Sequence, residues 1–236
     1  MKYLRCLAAF VLIAFSLTGC LKSTTPPGSA AFAAFYIIQA SPDAPNTDIY
    51  INGGLSLPNT PYGTDTGYVY PEPGTYEFKI AETGKTSYYL TKSFNLDSNT
   101  FYSIFFIDSL SKMKAVAVED NFSVPGTDSV QVRYLDFCPD LILHSVKFIN
   151  IAASEVYEEN GRFFNDQAVN TYRADFTTLK AGKYNIEFSL IGSGTPFKTI
   201  SNFELKSGKA YTIYMKGFNS GTGTQALDHA VIQHLL

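Results

Sequence analysis

His144, His229 and His234 are the only imidazoles in this 236-residue chain, and imidazole is the group on which most proton-relay and zinc chemistry depends. A serine hydrolase needs a base oriented by a carboxylate, and neither G-x-S-x-G nor H-E-x-x-H occurs. "GSGT", Gly192 to Thr195, reads as a hairpin turn. His229 and His234 stand five apart in a segment of strand character, so they face opposite sides and cannot share a zinc ion. Asp43, Asp48 and Asp65 could gather at one end of a module and offer oxygens to calcium. The D-x-D-x-D-G spacing is absent, however, and turn formation suits them better. The residues therefore predict no catalytic group, no metal and no cofactor. With a formal charge of −3, a pI near 5.6 and no basic cluster, they also predict no nucleic-acid partner.

The first twenty residues are an address. "MKYLRCLAAFVLIAFSLTGC" places Lys2 and Arg5 before an apolar run from Cys6 to Phe15, followed by small residues. That is the layout of a signal peptide over residues 1–19, and the run is too short to span a bilayer. "LTGC", Leu17-Thr18-Gly19-Cys20, is similar to the bacterial lipobox, at which the cysteine receives lipid and becomes the first mature residue. Acyl chains contribute about 0.8 kcal/mol per buried methylene, so Cys20 would hold the chain to a membrane. Residues 20–33 include the proline-bearing "LKSTTPPGSA" and read as a tether. Leu21 stands where lipoproteins retained at the inner membrane often carry aspartate, which directs the expectation to the outer membrane, on its periplasmic face or at the cell surface. With Cys6 removed and Cys20 lipidated, Cys138 is left without a disulfide partner and is expected to be a small buried hydrophobe.

Between these chemical landmarks the dominant period is two. "FYIIQA", "TDIYI", "GTYEFKI", "SYYLTKSFNL", "TFYSIFFI" and "MKAVAVE" alternate or run apolar, with Gly, Pro, Asn, Asp and Ser between them. Strands at this spacing predict an all-β chain of sandwich type, immunoglobulin-like or another Greek key. Ser154 to Gln167 comes nearest to helical spacing and is read as a loop. An internal repeat sets the organisation. "FYIIQASPDAPNTDIYING" is echoed by "QVRYLDFCPDLILHSVKFIN", with Pro42 on Pro139, an offset of 139 − 42 = 97 residues. "PGTYEFKI" is echoed by "AGKYNIEF", with Gly74 on Gly182, an offset of 182 − 74 = 108. Two tandem sandwiches follow, residues 34–122 and 129–236, joined near "SVPGTD". About eleven residues are inserted in the second, where Ser154 to Gln167 lies. Ser41, Pro42, Asp43, Pro45, Asp48, Pro139 and Asp140 form the structural turn motif. Proline ends a strand, and an aspartate beside it bonds backbone two residues on. Gly74 and Gly182 supply positive φ or close chain approach.

The motif carries a resemblance. "IIQASPDAPNTDIYING" with "YPEPGTYEFKI" and "NTFYSIFFID" resembles the DUF4397 family of bacterial envelope domains, closely in the first half and loosely in the second. "FCPDLILHSVKFIN" lacks the second proline and the counterpart of Asp48. The resemblance implies a β-sandwich envelope module and no catalysis. Beyond it, "FYSIFFI" is apolar on both faces, with Phe101, Phe105 and Ile107 on one and Tyr102, Ile104 and Phe106 on the other. A simple sandwich covers only one face; the second either meets the other module or a partner or, as the favoured reading, is a Tyr-rich outer face that merely flanks the ladder. Tyr102, Phe106 and Tyr214 are the candidate interaction aromatics. The expected function is non-catalytic binding or adhesion to a protein or glycan by a lipid-anchored envelope protein, with a periplasmic accessory role in envelope assembly or transport as the alternative.

Overall fold

Short alternating segments, each stopped by a Gly, Asn, Asp or Pro turn, form sixteen strands in the computed structural model, which describes residues 31–123 and 126–234. They are β1 (Ala34–Gln39), β2 (Thr47–Ile51), β3 (Gly54–Thr60), β4 (Asp65–Val69), β5 (Gly74–Glu82), β6 (Tyr88–Leu96), β7 (Phe101–Ile107) and β8 (Lys114–Glu119) in the first half. The second half has β9 (Ser129–Asp136), β10 (His144–Asn150), β11 (Val156–Arg162), β12 (Thr177–Lys180), β13 (Gly182–Leu190), β14 (Lys198–Leu205), β15 (Ala210–Lys216) and β16 (Asp228–His234). The predicted signal peptide, Leu17 to Cys20 and most of the tether lie outside the described residues. No helix among those described is long and apolar enough to cross a membrane.

Four four-stranded sheets result, ordered β4-β1-β7-β8, β3-β2-β5-β6, β12-β9-β15-β16 and β11-β10-β13-β14. The fold is thus all-β, with two sandwich-like pairs of sheets that share one strand order. In each pair the entering strand runs parallel to the seventh, β1 with β7 and β9 with β15, while every other pairing is antiparallel.

The cores show how the sheets are layered. Ile37, Ile49, Phe78, Ile80, Ile104 and Phe106 fill the first sandwich, and Val132, Val146, Phe148, Ile186, Phe188 and Ile213 the second. A third core joins Ile38, Phe105, Ile107 and Val118 to Leu135, Phe137, Tyr214 and Ile232. Its residues come from the outer faces of β4-β1-β7-β8 and β12-β9-β15-β16, so those two sheets press together in the middle of a four-layer stack. Central strands covered on both faces read as continuous apolar runs, which explains "FYSIFFI". Its second face meets the other sandwich, with the Phe105 ring 4.6 Å from Phe137 and 5.4 Å from Tyr214.

Ser154–Gln167 corrects the loop reading. Val156–Arg162 is an edge strand paired with β10, and a register shift between His144 and Val146 accommodates the extra residue. Its outward Glu158 and Asn160 and its Gly161 (φ 68°) hide the strand period. Two 3₁₀ turns follow, Asp166–Ala168 and Thr171–Ala174, and this insertion lies beside the first sandwich.

Candidate binding cleft and the junction that builds it

The two Pro-Asp elements are braces between loops. Ser41 Oγ donates to the Asp108 carbonyl at 2.7 Å, and Asp43 accepts the Leu110 N–H at 2.7 Å. Asp140 accepts from Asn219 N–H, Ser220 N–H and Ser220 Oγ at 2.6, 3.0 and 2.7 Å. Burial raises the Asp140 carboxyl, but these donors outweigh it and hold the group below its ordinary range. Each aspartate therefore ties the loop after the first strand to the loop after the seventh, a span of 67 or 79 to 80 residues. The short-range bond expected of them is made by the residues before: Gln39 Oε1 accepts from Ser41 N–H, and Asp136 Oδ1 from Cys138 N–H. Pro42, Pro45 and Pro139 lie in the same loops. Asp48 accepts the Asn59 and Gly84 N–H groups, which lower its carboxyl, while Asp65 accepts from the Tyr36 hydroxyl. The three aspartates weighed for calcium thus serve four separate bonds at three places. Among the described residues no cluster of His, Cys, Asp or Glu is arranged for a metal.

Hydroxyl contacts repeat as well. Tyr76 donates to the Glu72 carbonyl and Tyr184 to the Lys180 carbonyl, at 2.7 and 2.6 Å. Tyr102 and Tyr211 accept from the Asp97 and Lys206 N–H groups. Gly74 and Gly182 open β5 and β13 at φ 151° and 150°. Tyr102 and Phe106 belong to the first core, not to an exposed face, which corrects their reading as interaction aromatics; Tyr214 is buried in the junction between the sandwiches.

At one end of that junction lies a buried polar lock. Arg133 Nη2 meets Asp120 Oδ1 at 2.6 Å, with both side chains fully buried. Arg133 also donates to Thr212 Oγ1 and to the Glu119 and Ala174 carbonyls, and stacks over the Phe176 ring at 4.5 Å. Asp120 accepts from Ser103 Oγ and from the Tyr68 hydroxyl. His234 sits between Tyr68, 2.6 Å from Nδ1, and Thr212, 2.7 Å from Nε2. A neutral ring satisfies every partner: Nδ1–H donates to Tyr68, whose own proton goes to Asp120, while Thr212 donates to Nε2 and accepts from Arg133. Burial agrees, holding His234 down to about 4 and raising the Tyr68 hydroxyl, the latter with help from Asp120.

A second buried group occupies the second sandwich. Burial pushes Asp136 up to about 8 against the Cys138 N–H, and its Oδ2 has no hydrogen-bond partner. His144 Nδ1 lies 3.8 Å away, and burial holds that ring down to about 4. The repeat offset places Asp136 on Gln39 and His144 on Thr47, which form a neutral Gln39 Nε2 to Thr47 Oγ1 bond of 3.1 Å. Cys138, fully buried, faces Asp140, and burial raises its thiol.

Where the insertion approaches the first sandwich, a cleft of about 580 Å³ opens. Its floor is β8. Lys92 and Phe94 of β6 form one wall; Asn165, Gln167, Ala168, Thr171 and Ala174 form the other, with Glu119 and Asp175 at one end. The far wall is rigid because Arg162, fully buried, binds Asp166 at 2.6 Å and the Tyr134 carbonyl at 2.9 Å. Gln167 is 5% exposed, and its Oε1 lacks a partner while Nε2 donates to Asn165. Such a cleft has the volume of a ligand site. It was invisible in the sequence, since its walls lie on different sandwiches. The inserted length was the one available signal.

No curated protein sequence matches the chain. Among solved structures, a streptococcal virulence factor described by its alpha-glucan binding is 11% identical at a TM-score of 0.25, over 77% of this chain and 92% of that one. The Bacillus anthracis TIE protein is 12% identical at 0.23, over 86% and 44%, and a leucine-rich repeat protein from Bacteroides thetaiotaomicron is 13% identical at 0.20, over 77% and 25%. At TM-scores this low the likenesses say nothing of function. Sequence is more informative: a DUF4397 domain, a domain of unknown function, is found at residues 33–141, which takes in the whole first sandwich, β9 and the Pro139-Asp140 element.

Proposed function

We propose that the chain is a lipid-anchored protein of the cell envelope, held at Cys20, that binds a protein or glycan ligand without transforming it. In this reading the second sandwich is a diverged copy of the first, and the cleft at their junction is the binding site. The observation that carries the proposal is the cleft itself, with β8 as its floor and the insertion as its wall. The shared apolar core supports it by packing the β8 floor and the insertion wall together through Val116, Val118, Phe164 and Ala174. Its ionisable lining is Lys92, Lys114, Glu119 and Asp175, whereas His144, His234 and Cys138 are enclosed elsewhere.

Two measurements test the proposal. The full chain and Cys20→Ser are fractionated from intact cells, with and without a protease that cannot cross the outer membrane. Release of Cys20→Ser to the soluble fraction is expected, and its retention in membranes would overturn the anchor. Accessibility to the protease separates surface display from the periplasmic alternative. The purified chain is then applied to glycan and peptide arrays beside Ala168→Trp, which fills the cleft. Capture by the wild type that the variant loses is expected; equal capture by both moves the site away from the cleft.

A further inference from the structure

The floor of the cleft is an unpaired sheet edge. Asp120 N–H bonds the Phe101 carbonyl, and the β7–β8 register places Glu119 opposite Tyr102 and Ala117 opposite Ile104. Antiparallel ladders alternate, so Val118, Val116 and Lys114 turn their peptide groups to β7, and Ala115, Ala117 and Glu119 turn theirs into the cleft. The Glu119 carbonyl is taken by Arg133. The N–H and C=O groups of Ala115 and Ala117 remain, behind methyl side chains that leave them accessible. An edge of this kind is a template for another strand.

The walls suit one. Gln167 and Ala168 line the insertion side, and Phe94 lines the β6 side. Lys92 has no ion-pair partner among the described residues, and it lies towards the start of β8, since Lys92 pairs with Phe78, whose ring packs on Phe106, opposite Ala115. Lys114 stands at the same end, paired to Asp108 at 2.8 Å. Glu119 and Asp175 stand at the other end and likewise lack ion-pair partners among the described residues. The equivalent position of the second sandwich is bridged. There Asp228 occupies the position of Lys114, and its 2.6 Å bridge to Lys198 ties β16 to β14.

Resting on the reading of the cleft as a binding site, we propose that its ligand is an extended peptide segment of a partner protein, which adds to β8 as a fifth strand of the β4-β1-β7-β8 sheet. Backbone bonds to Ala115 and Ala117 hold it. The segment matches the six residues of β8, is small or aliphatic in its middle, carries an acidic residue towards Lys92 and Lys114, and a basic one towards Glu119 and Asp175.

The test uses the full chain purified in detergent, a displayed library of random twelve-residue peptides, and a glycan array as comparison. Selected peptides should share the acidic-to-basic polarity and slow amide exchange at Ala115 and Ala117 by about tenfold or more. Ala117→Pro removes one cleft-facing donor and no ladder bond. It should weaken peptide binding by about tenfold while leaving the unfolding midpoint near wild type. If that variant fails to fold, exchange in the wild-type chain still decides. Peptide binding that leaves the Ala115 and Ala117 amides unprotected would overturn the inference. Glycan binding blocked by Ala168→Trp, without peptide binding, would overturn the peptide and keep the site. Binding of neither probe would overturn both.

Discussion

Arg133 and Asp120 make the sharpest prediction at the scale of single residues. Removing one partner of a buried ion pair strands the other's charge, at a cost of about 3–5 kcal/mol. Arg133→Ala and Asp120→Ala should each lose roughly that in urea titrations. Arg133→Met with Asp120→Ala should lose less than the sum, because no uncompensated charge is left. The pH profile is set by three other groups. His144 and His234 are held near 4, below the ordinary 6.5, so the unfolded chain takes up protons first as pH falls. Stability should decline from pH 6.5 towards 4. Asp136 acts oppositely: held near 8, it stays protonated in the fold while the unfolded carboxyl ionises near 4, so its contribution is lost as pH rises towards 8. Asp136→Asn keeps an acceptor for the Cys138 N–H. It should stabilise the chain by roughly 3–4 kcal/mol more at pH 8 than at pH 5, and equal effects at both would rule out this ionisation.

Among the elements, the loop braces and strand starts differ between halves in ways that can be measured. Asp140 holds three N–H and O–H donors and the weaker Cys138 thiol where Asp43 holds one donor, so Asp140→Ala should destabilise by about 2 kcal/mol more than Asp43→Ala at about 1 kcal/mol per strong bond. Alanine at Gly74 or Gly182 meets an unfavourable φ in both cases. At Gly182 its Cβ would also lie 3.3 Å from Asn150 Nδ2, whereas Gly74 faces open space. Gly182→Ala should therefore be the more damaging. Central strands such as "FYSIFFI" were legible because both faces are covered, and the repeat was legible because both halves keep the Pro-Asp brace and the tyrosine contacts. β11 was not, because an edge strand with one wet face tolerates Glu, Asn and Gly where a central strand does not. Arg133 and Arg162 escaped notice for a related reason. A charged residue in a strand reads as exposed until its buried partner, on another element, is known.

For the whole molecule, the core shared by the middle sheets predicts that heating gives one cooperative transition, not two. Calorimetry on the purified chain checks this, and two separated transitions would show that the sandwiches unfold independently. Expressed alone, residues 126–236 would leave Leu135, Phe137, Tyr214 and Ile232 bare. That fragment should self-associate in size-exclusion chromatography. The parallel pairing of each entering strand has a further consequence, in time. β1 lies between β4 and β7, and its parallel partner is encoded 67 residues later; β9 waits 79 residues for β15. Neither sheet can close while its later strands are still unmade, and loops of that length slow the search for the native pairing. Refolding should thus fall in the millisecond-to-second range. A nascent chain would carry its most apolar segments unpaired until synthesis of each half is nearly finished.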